Sequence, residues 1–276
     1  MDMPHCLVNG QATDSISSND RGLLYGDGLF ETMAVINGKI PLWQLHANRL
    51  QQGCARLKLD CPHADVLQSE VEQLATDAER AVIKLILTRG VGGRGYAPQT
   101  TTNPTRILQR HPWPEAPRDY WETGVNVIFC EQHLARQPAL AGIKHLNRLE
   151  QVLARAEWQD PSIQEGLLAD SEGNIIEAVS HNVFLVNGET LTTPDLRYSG
   201  VAGVMREYLL QLLKDKGYSV EVAAVTRQAL LDADAVFLCN SVHGIWPICE
   251  LDGKHYPQNR LVCGLRDTVA QVIPYP

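Results

Sequence analysis

Lys144 is the amine in this chain whose surroundings favour chemistry. It follows the small apolar approach Leu140-Ala141-Gly142-Ile143 and precedes a segment in which Leu149, Val152, Leu153 and Ala156 recur at helical spacing. A lysine at such a junction has its backbone held by packing on both sides. Partial desolvation favours the neutral amine, which is a usable nucleophile and base. Most lysines simply face solvent, so Lys144 gains weight only from residues elsewhere.

Those residues have ordinary uses as well. Glu177 stands alone among Ile175, Ile176, Ala178 and Val179, a pattern that more often marks a solvated edge-strand carboxylate. Arg49 follows His46 by three positions, so one side of a helix can carry both; surface ion pairing is the common alternative. Gly203, Val204 and Met205 open an amphipathic helix, whose free backbone N–H groups suit an anion, although Gly203 also fits a tight turn. Arg94 and Tyr96 sit in a glycine-rich loop after the strand Ala81 to Arg89. No Gly-Lys-Ser/Thr or dinucleotide helix follows, so the loop is expected to be mobile and to present those two side chains. Asn240 and Ser241 end the apolar strand Ala235 to Cys239, where turn formation is their usual role.

The elements that must position these groups follow from periodicity. Strand formers fill Leu29 to Ile36, and Asn37-Gly38 predicts a hairpin into Lys39 to Leu42. Helices are expected from Trp43, with Leu45, Arg49, Leu50 and Cys54 near one face, and over Ala64 to Leu74. Asn147 is the expected cap of a helix running to about Asp160, and Gln258 to Val272 closes the chain as a helix. Three prolines in His111 to Arg118 mark a linker. The expected architecture is α+β in two domains: a smaller N-terminal α/β domain over 1–111, a linker over 112–122, and a larger domain over 123–276 carrying Lys144. A cofactor is expected in the cleft between them.

Composition removes other classes. A net charge of −8 argues against nucleic acid or an anionic membrane as partner. Seven scattered cysteines without a CxxC pair argue for reduced thiols in a cytoplasmic protein rather than disulfides or zinc. There is no basic n-region with an apolar core and no run of membrane length, so the chain is expected to be soluble and unexported. The nine histidines lack metal-ligand spacing and there is no G-x-S-x-G elbow, so neither a metal site nor an esterase is expected.

Gly142-Ile143-Lys144-His145-Leu146-Asn147-Arg148-Leu149-Glu150-Gln151-Val152-Leu153 resembles the lysine motif of the fold-type IV pyridoxal-phosphate enzymes, nearest to their aminodeoxychorismate lyase branch. The stretch from Asp20 to Thr32 resembles the same family's N-terminal signature. His46-Ala47-Asn48-Arg49-Leu50 matches its H-x-x-R-L pattern, and Glu177 to Phe184 its E-x-x-x-x-N-x-F pattern. The resemblance implies pyridoxal phosphate carried by Lys144, with Glu177 against the pyridine nitrogen. It implies phosphate contacts from Arg49, Gly203, Val204, Met205, Ser241 and Asn240. Met205 stands where the transaminases usually have threonine, which shifts that contact to the backbone. The substrate carboxylates would meet Arg94 and Tyr96, with Arg106 added. In D-amino-acid transaminases the position of Tyr96 is a histidine, so the pattern favours the lyase, which turns aminodeoxychorismate into 4-aminobenzoate and pyruvate on the folate route. A D-amino-acid or branched-chain transaminase, or a non-catalytic binding protein on the same scaffold, are the alternatives. Members of the family are usually homodimers.

Overall fold

The structure, a computed structural model, describes residues 5–98 and 103–275. The chain is α+β and forms two compact units. The first takes the described residues up to Glu115 together with Ile143–Asn147; the second takes Ala116–Gly142 and Arg148 onward. Lys144, expected in the second domain, therefore packs within the first unit.

In chain order the first unit holds β1 (Cys6–Val8), β2 (Gln11–Ala12), α1 (Arg21–Tyr25), β3 (Gly28–Ile36), α2 (Trp43–Leu57), α3 (Ala64–Ala75), β4 (Arg80–Thr88) and β5 (Thr105–Pro112). Its strands form an antiparallel sheet in the order β2-β1-β5-β4-β3. Cross-strand partners share a face. The register pairs Leu29 with Leu87 and Leu87 with Arg106, whereas Phe30, Ile86 and Ile107 align on the opposite face. Leu29 lies against Gly53 of α2, which identifies the first of these as the helix-covered face. The residues of α2 that reach inward are His46, Leu50, Gly53 and Cys54, so His46 takes the inward place expected of Leu45. The Asn37-Gly38 turn forms, both residues having positive φ, but Lys39 to Leu42 does not return as a strand. Pairing across the turn stops at Ile36 and Lys39, which exchange hydrogen bonds at 2.9 and 3.0 Å, and the chain then goes into α2.

The second unit holds α4 (Asp119–Glu122), β6 (Val125–Leu134), α5 (Leu149–Arg155), β7 (Glu165–Asp170), β8 (Ile175–Ala178), β9 (Asn182–Asn187), β10 (Thr190–Pro194), α6 (Val204–Asp215), β11 (Ser219–Ala223), α7 (Arg227–Asp232), β12 (Ala235–Asn240), β13 (Gly244–Leu251), β14 (Lys254–His255) and α8 (Arg260–Val269). A mixed sheet runs β11-β10-β9-β12-β13-β6-β7-β8, with β14 beside β13. Residues 119–122, expected to be linker, are the helix α4. Its Trp121 is buried in the core with Val127, Leu167, Val236 and Trp246, and its indole N–H donates to the His243 carbonyl at 2.6 Å. A large aromatic ring seeking burial outweighs the prolines that precede it. Among the described residues no helix is long and apolar enough to cross a membrane.

The helix after Lys144 is shorter than expected, ending at Arg155, and its N-cap residue Arg148 makes no side-chain cap bond. Asn147 does not cap it. Its amide donates to the Gly26 carbonyl at 3.2 Å, and Gly26, at φ +63°, has no room for a Cβ beside it.

Candidate active site

In the first unit, Ile143–Asn147 lies along the outer edge of β3. The Phe30 N–H donates to the Lys144 carbonyl at 2.9 Å and the Leu146 N–H to the Gly28 carbonyl at 3.0 Å, with Leu29 opposite His145. Backbone pairing thus fixes the lysine's position, and the half-buried Lys144 places Nζ 4.5 Å from the centre of the Phe30 ring. Just before it, Gly142 at φ +81° belongs to the second unit, where it pairs with Val201. Its N–H donates to Gly200 at 2.9 Å, and its carbonyl accepts from Ala202 at 3.0 Å.

Beneath α2, Glu31 accepts from Arg49 Nε at 2.8 Å and sits 2.6 Å from His46 Nδ1. The Arg49 clamp also uses an NH2 contact, so the guanidinium plane is held by one edge. Burial on its own would raise the Glu31 carboxyl, but the Arg49 charge, the His46 and Arg49 hydrogen bonds and the His46 charge outweigh it and bring it to about 2. His46 is fully buried, which pulls its pKa down; Glu31 opposes this while Arg49 and Lys144 add to it. The ring is therefore neutral, with its Nδ1 proton given to Glu31. Its Nε2 is buried with no hydrogen-bond partner.

The glycine-rich loop is anchored rather than loose. Arg21 donates to the carbonyls of Gly95 and Tyr96, both at 3.0 Å, and from Nε to Asp27 at 2.9 Å. Arg89 meets the same Asp27 carboxylate at 2.8 Å. Burial would raise Asp27, but the two guanidinium groups hold it below the usual carboxylate range. Arg94 is exposed and Tyr96 is 85% exposed, its ring 5.5 Å from Tyr25. Arg106 is a correction: it projects from the helix-covered face, opposite Phe30, and its guanidinium clasps Glu70 of α3 at 2.7 to 3.1 Å. Its guanidinium is thereby engaged by Glu70.

In the second unit Glu177 is 4% exposed on β8. It accepts the Val201 N–H at 2.8 Å, with the Gln151 amide at 3.5 Å. It is thus a buried carboxylate, not the solvated edge group that composition alone would favour. Gly203 is the N-cap of α6 and offers no side-chain acceptor to its first turn, which contains Val204 and Met205. A Cβ on Gly203 would lie 1.9 Å from Asn182 Oδ1, and Asn182 in turn donates to the Val201 carbonyl at 2.9 Å. Asn182 pairs with Cys239 across β9 and β12, so the α6 start and the Asn240-Ser241 turn are drawn to one end of the second sheet. Asn240 itself is spent on the turn: its Oδ1 accepts from Val242 and His243 at 2.9 and 2.7 Å.

The sequence pattern described as "Amino-transferase class IV" matches residues 28–251. The chain belongs to that family. An aminodeoxychorismate lyase from Vibrio harveyi is 37% identical over 92% of this chain and 93% of its own length. A D-alanine aminotransferase from Bacillus licheniformis is 27% identical over 90% of this chain and 88% of its own. Among solved structures, 4-amino-4-deoxychorismate lyase from Pseudomonas aeruginosa superposes with a TM-score of 0.94 at 44% identity, over 98% of this chain and all of that one. Family membership accounts for the likeness to both lyases and transaminases, and the matched stretch includes Lys144, Glu177, Arg49 and Ser241.

Each unit therefore gathers its own set. Lys144, His46, Arg49 and Glu31 cluster around β3, and Glu177, Val201, Asn182, Gly203 and Ser241 around the ends of β8, β9 and β12. Glu31, Arg21, Asp27 and Asn182 carry structural tasks that the sequence reading left unassigned. Glu31 and Asp27 lie inside the family's N-terminal signature, and their charge in an otherwise apolar or glycine-rich context was the available signal.

Because the folded carboxyl of Glu31 is depressed, its contribution is fully present above the unfolded value of 4.5 and is lost as pH falls through about 2. Glu31→Gln is expected to unfold at neutral pH with roughly 3 kcal/mol less stability than wild type. Denaturant titrations should show that gap narrowing below pH 4.5 and closing near 2. A gap independent of pH would mean that Glu31 contributes by shape alone.

Proposed function

We propose that the protein is a pyridoxal-phosphate-dependent aminodeoxychorismate lyase, releasing 4-aminobenzoate and pyruvate. The observation that carries the reading is the likeness to the Pseudomonas lyase over nearly the whole chain, with Lys144 held at a backbone-paired edge over an aromatic ring. Pyridoxal phosphate, when bound, supplies an aldehyde and an electron-withdrawing ring that absorbs the charge left as a proton leaves carbon.

The residues present suit that group. The first turn of α6 has no side-chain cap and offers backbone N–H groups at the positive end of the helix, which favours a phosphate. Ser241 would add a hydroxyl and Arg49 a guanidinium. Glu177, buried and accepting from a backbone amide, would keep a pyridine nitrogen protonated.

Lys144 Nζ would hold the cofactor aldehyde and, once the substrate amine has displaced it, would be the free amine that takes the proton from the substrate carbon bearing nitrogen. Departure of the enolpyruvyl oxygen from the neighbouring carbon makes the ring aromatic, and Lys144 Nζ is the amine placed to return a proton to the departing group. Phe30 beneath Nζ limits water on that side. Arg94 and Tyr96, on a loop fixed by Arg21, would meet the substrate carboxylates.

We further propose a homodimer. Leu149, Val152 and Leu153 are 76%, 59% and 57% exposed on one side of α5, so the apolar stripe expected to pack inward faces out. A second copy would cover it. The seven unpaired cysteines support a reducing, cytoplasmic setting, which cell fractionation would check.

Purified protein given aminodeoxychorismate should yield 4-aminobenzoate and pyruvate in equal amounts, and Lys144→Ala should lower the rate about 10³-fold or more. Amino-group exchange between D-alanine and 2-oxoglutarate without 4-aminobenzoate would reject the lyase in favour of a transaminase. In sedimentation, the wild type should run at twice its 30.6 kDa chain mass. The Leu149→Glu, Val152→Glu double variant should run as a monomer. A wild type that is monomeric at micromolar concentration would remove the dimer.

A further inference from the structure

His181 is buried one position before Asn182, yet neither the family motif nor the proposed chemistry gives it a task. Its neighbours define one. Glu165 Oε2 accepts from the Ser180 N–H at 2.9 Å and the Ser180 hydroxyl at 3.1 Å, and lies 2.8 Å from His181 Nδ1. An ionised carboxylate only accepts, so the imidazole proton is on Nδ1 and Nε2 of the neutral ring carries the lone pair. Asn240 Nδ2 sits 2.8 Å from that Nε2 and donates to it.

The amide is thereby oriented. With Nδ2 given to His181, Oδ1 must point the other way, where it accepts the Val242 and His243 N–H groups at 2.9 and 2.7 Å. Turning the amide over would set its oxygen against the imidazole lone pair and strand both backbone donors. The imidazole packs beside the stacked rings of His243 and Trp246, 5.5 and 4.8 Å away. The turn that follows Ser241 is consequently held in one conformation from Glu165 outward.

Val242 and His243 have no amide left to give an anion from this turn. The contact of this turn with an anion is assigned to the Ser241 hydroxyl. We propose that His181 is a positioning residue for the phosphate group, relaying the Glu165 carboxylate through the Asn240 amide to set the place of the Ser241 hydroxyl. The proposal rests on the reading of Ser241 as a phosphate contact. It adds a specific division of labour: Asn182 holds the segment leading to α6 through the Val201 carbonyl, and its chain neighbour His181 holds the Ser241 turn.

The test compares pyridoxal phosphate with pyridoxal, which lacks the phosphate, by titrating each into the full-length protein stripped of bound cofactor. His181→Phe keeps the ring's bulk without its nitrogens. His181→Asn keeps polarity but is too short to reach Asn240. His181→Gln can present an oxygen where Nε2 stood. The first two should bind pyridoxal phosphate about tenfold more weakly while holding pyridoxal within about twofold, and His181→Gln should recover to within about threefold of wild type. Where one of the first two fails to fold, the other decides. Unchanged affinity in the folded variant, or parallel loss of both ligands, would overturn the relay. So would a His181→Gln variant no better than the others. If the wild type takes up no pyridoxal phosphate, the cofactor reading itself falls and the relay with it; wild-type uptake with indifferent variants sinks only the relay.

Discussion

Backbone pairing along the edge of β3 is the constraint from which the rest follows. A lysine side chain has four rotatable bonds and would wander if its Cα were carried on a loose connection. Here the flanking peptide groups of Lys144 and Leu146 are tied to Phe30 and Gly28, while Gly142 is tied to Gly200 and Ala202. The Cα that carries the amine is fixed by hydrogen bonds that use no side chain. The lysine can then remain only half buried, with Phe30 as its apolar neighbour, and still keep its place. The positive φ of Gly142 is what lets the chain pass from one pairing to the other.

Charge is managed differently in the two units. In the first, Glu31 and Asp27 are each held ionised by arginine. Glu31 clamps Arg49 and Asp27 joins Arg21 to Arg89, so guanidinium groups are oriented before any ligand arrives. In the second, the donors left open are neutral backbone N–H groups at the start of α6, a segment that the Asn182 amide helps to place. Such fixed dipoles stabilise an anion with little reorganisation.

Much of this was legible in the sequence. Lys144, Glu177 and the Gly203 helix start stand in short local motifs, and local motifs survive without knowledge of the fold. The hairpin turn at Asn37-Gly38 was equally local, but its partner strand was not: β3 pairs with β4, more than forty residues away, and only tertiary packing could choose it. Arg106 misled for a related reason. Its charge was visible, but the face it occupies depends on the register against Leu87, which composition does not encode. Asn147 had the chemistry of a helix cap and was claimed instead by Gly26, far upstream. The stripe of Leu149, Val152 and Leu153 had the right period for a buried face; periodicity tells which residues share a face, and not whether this chain or another covers it.

The central claim is that the amine at Lys144, and no other, holds the cofactor aldehyde. Lys84 is the natural competitor, since its Nζ also lies near the Phe30 ring, at 5.3 Å. Borohydride reduction of the protein saturated with pyridoxal phosphate, followed by peptide mapping, distinguishes them. The account predicts a phosphopyridoxyl group on the peptide containing Lys144 alone; a label on Lys84 or another lysine, or no label, would contradict it.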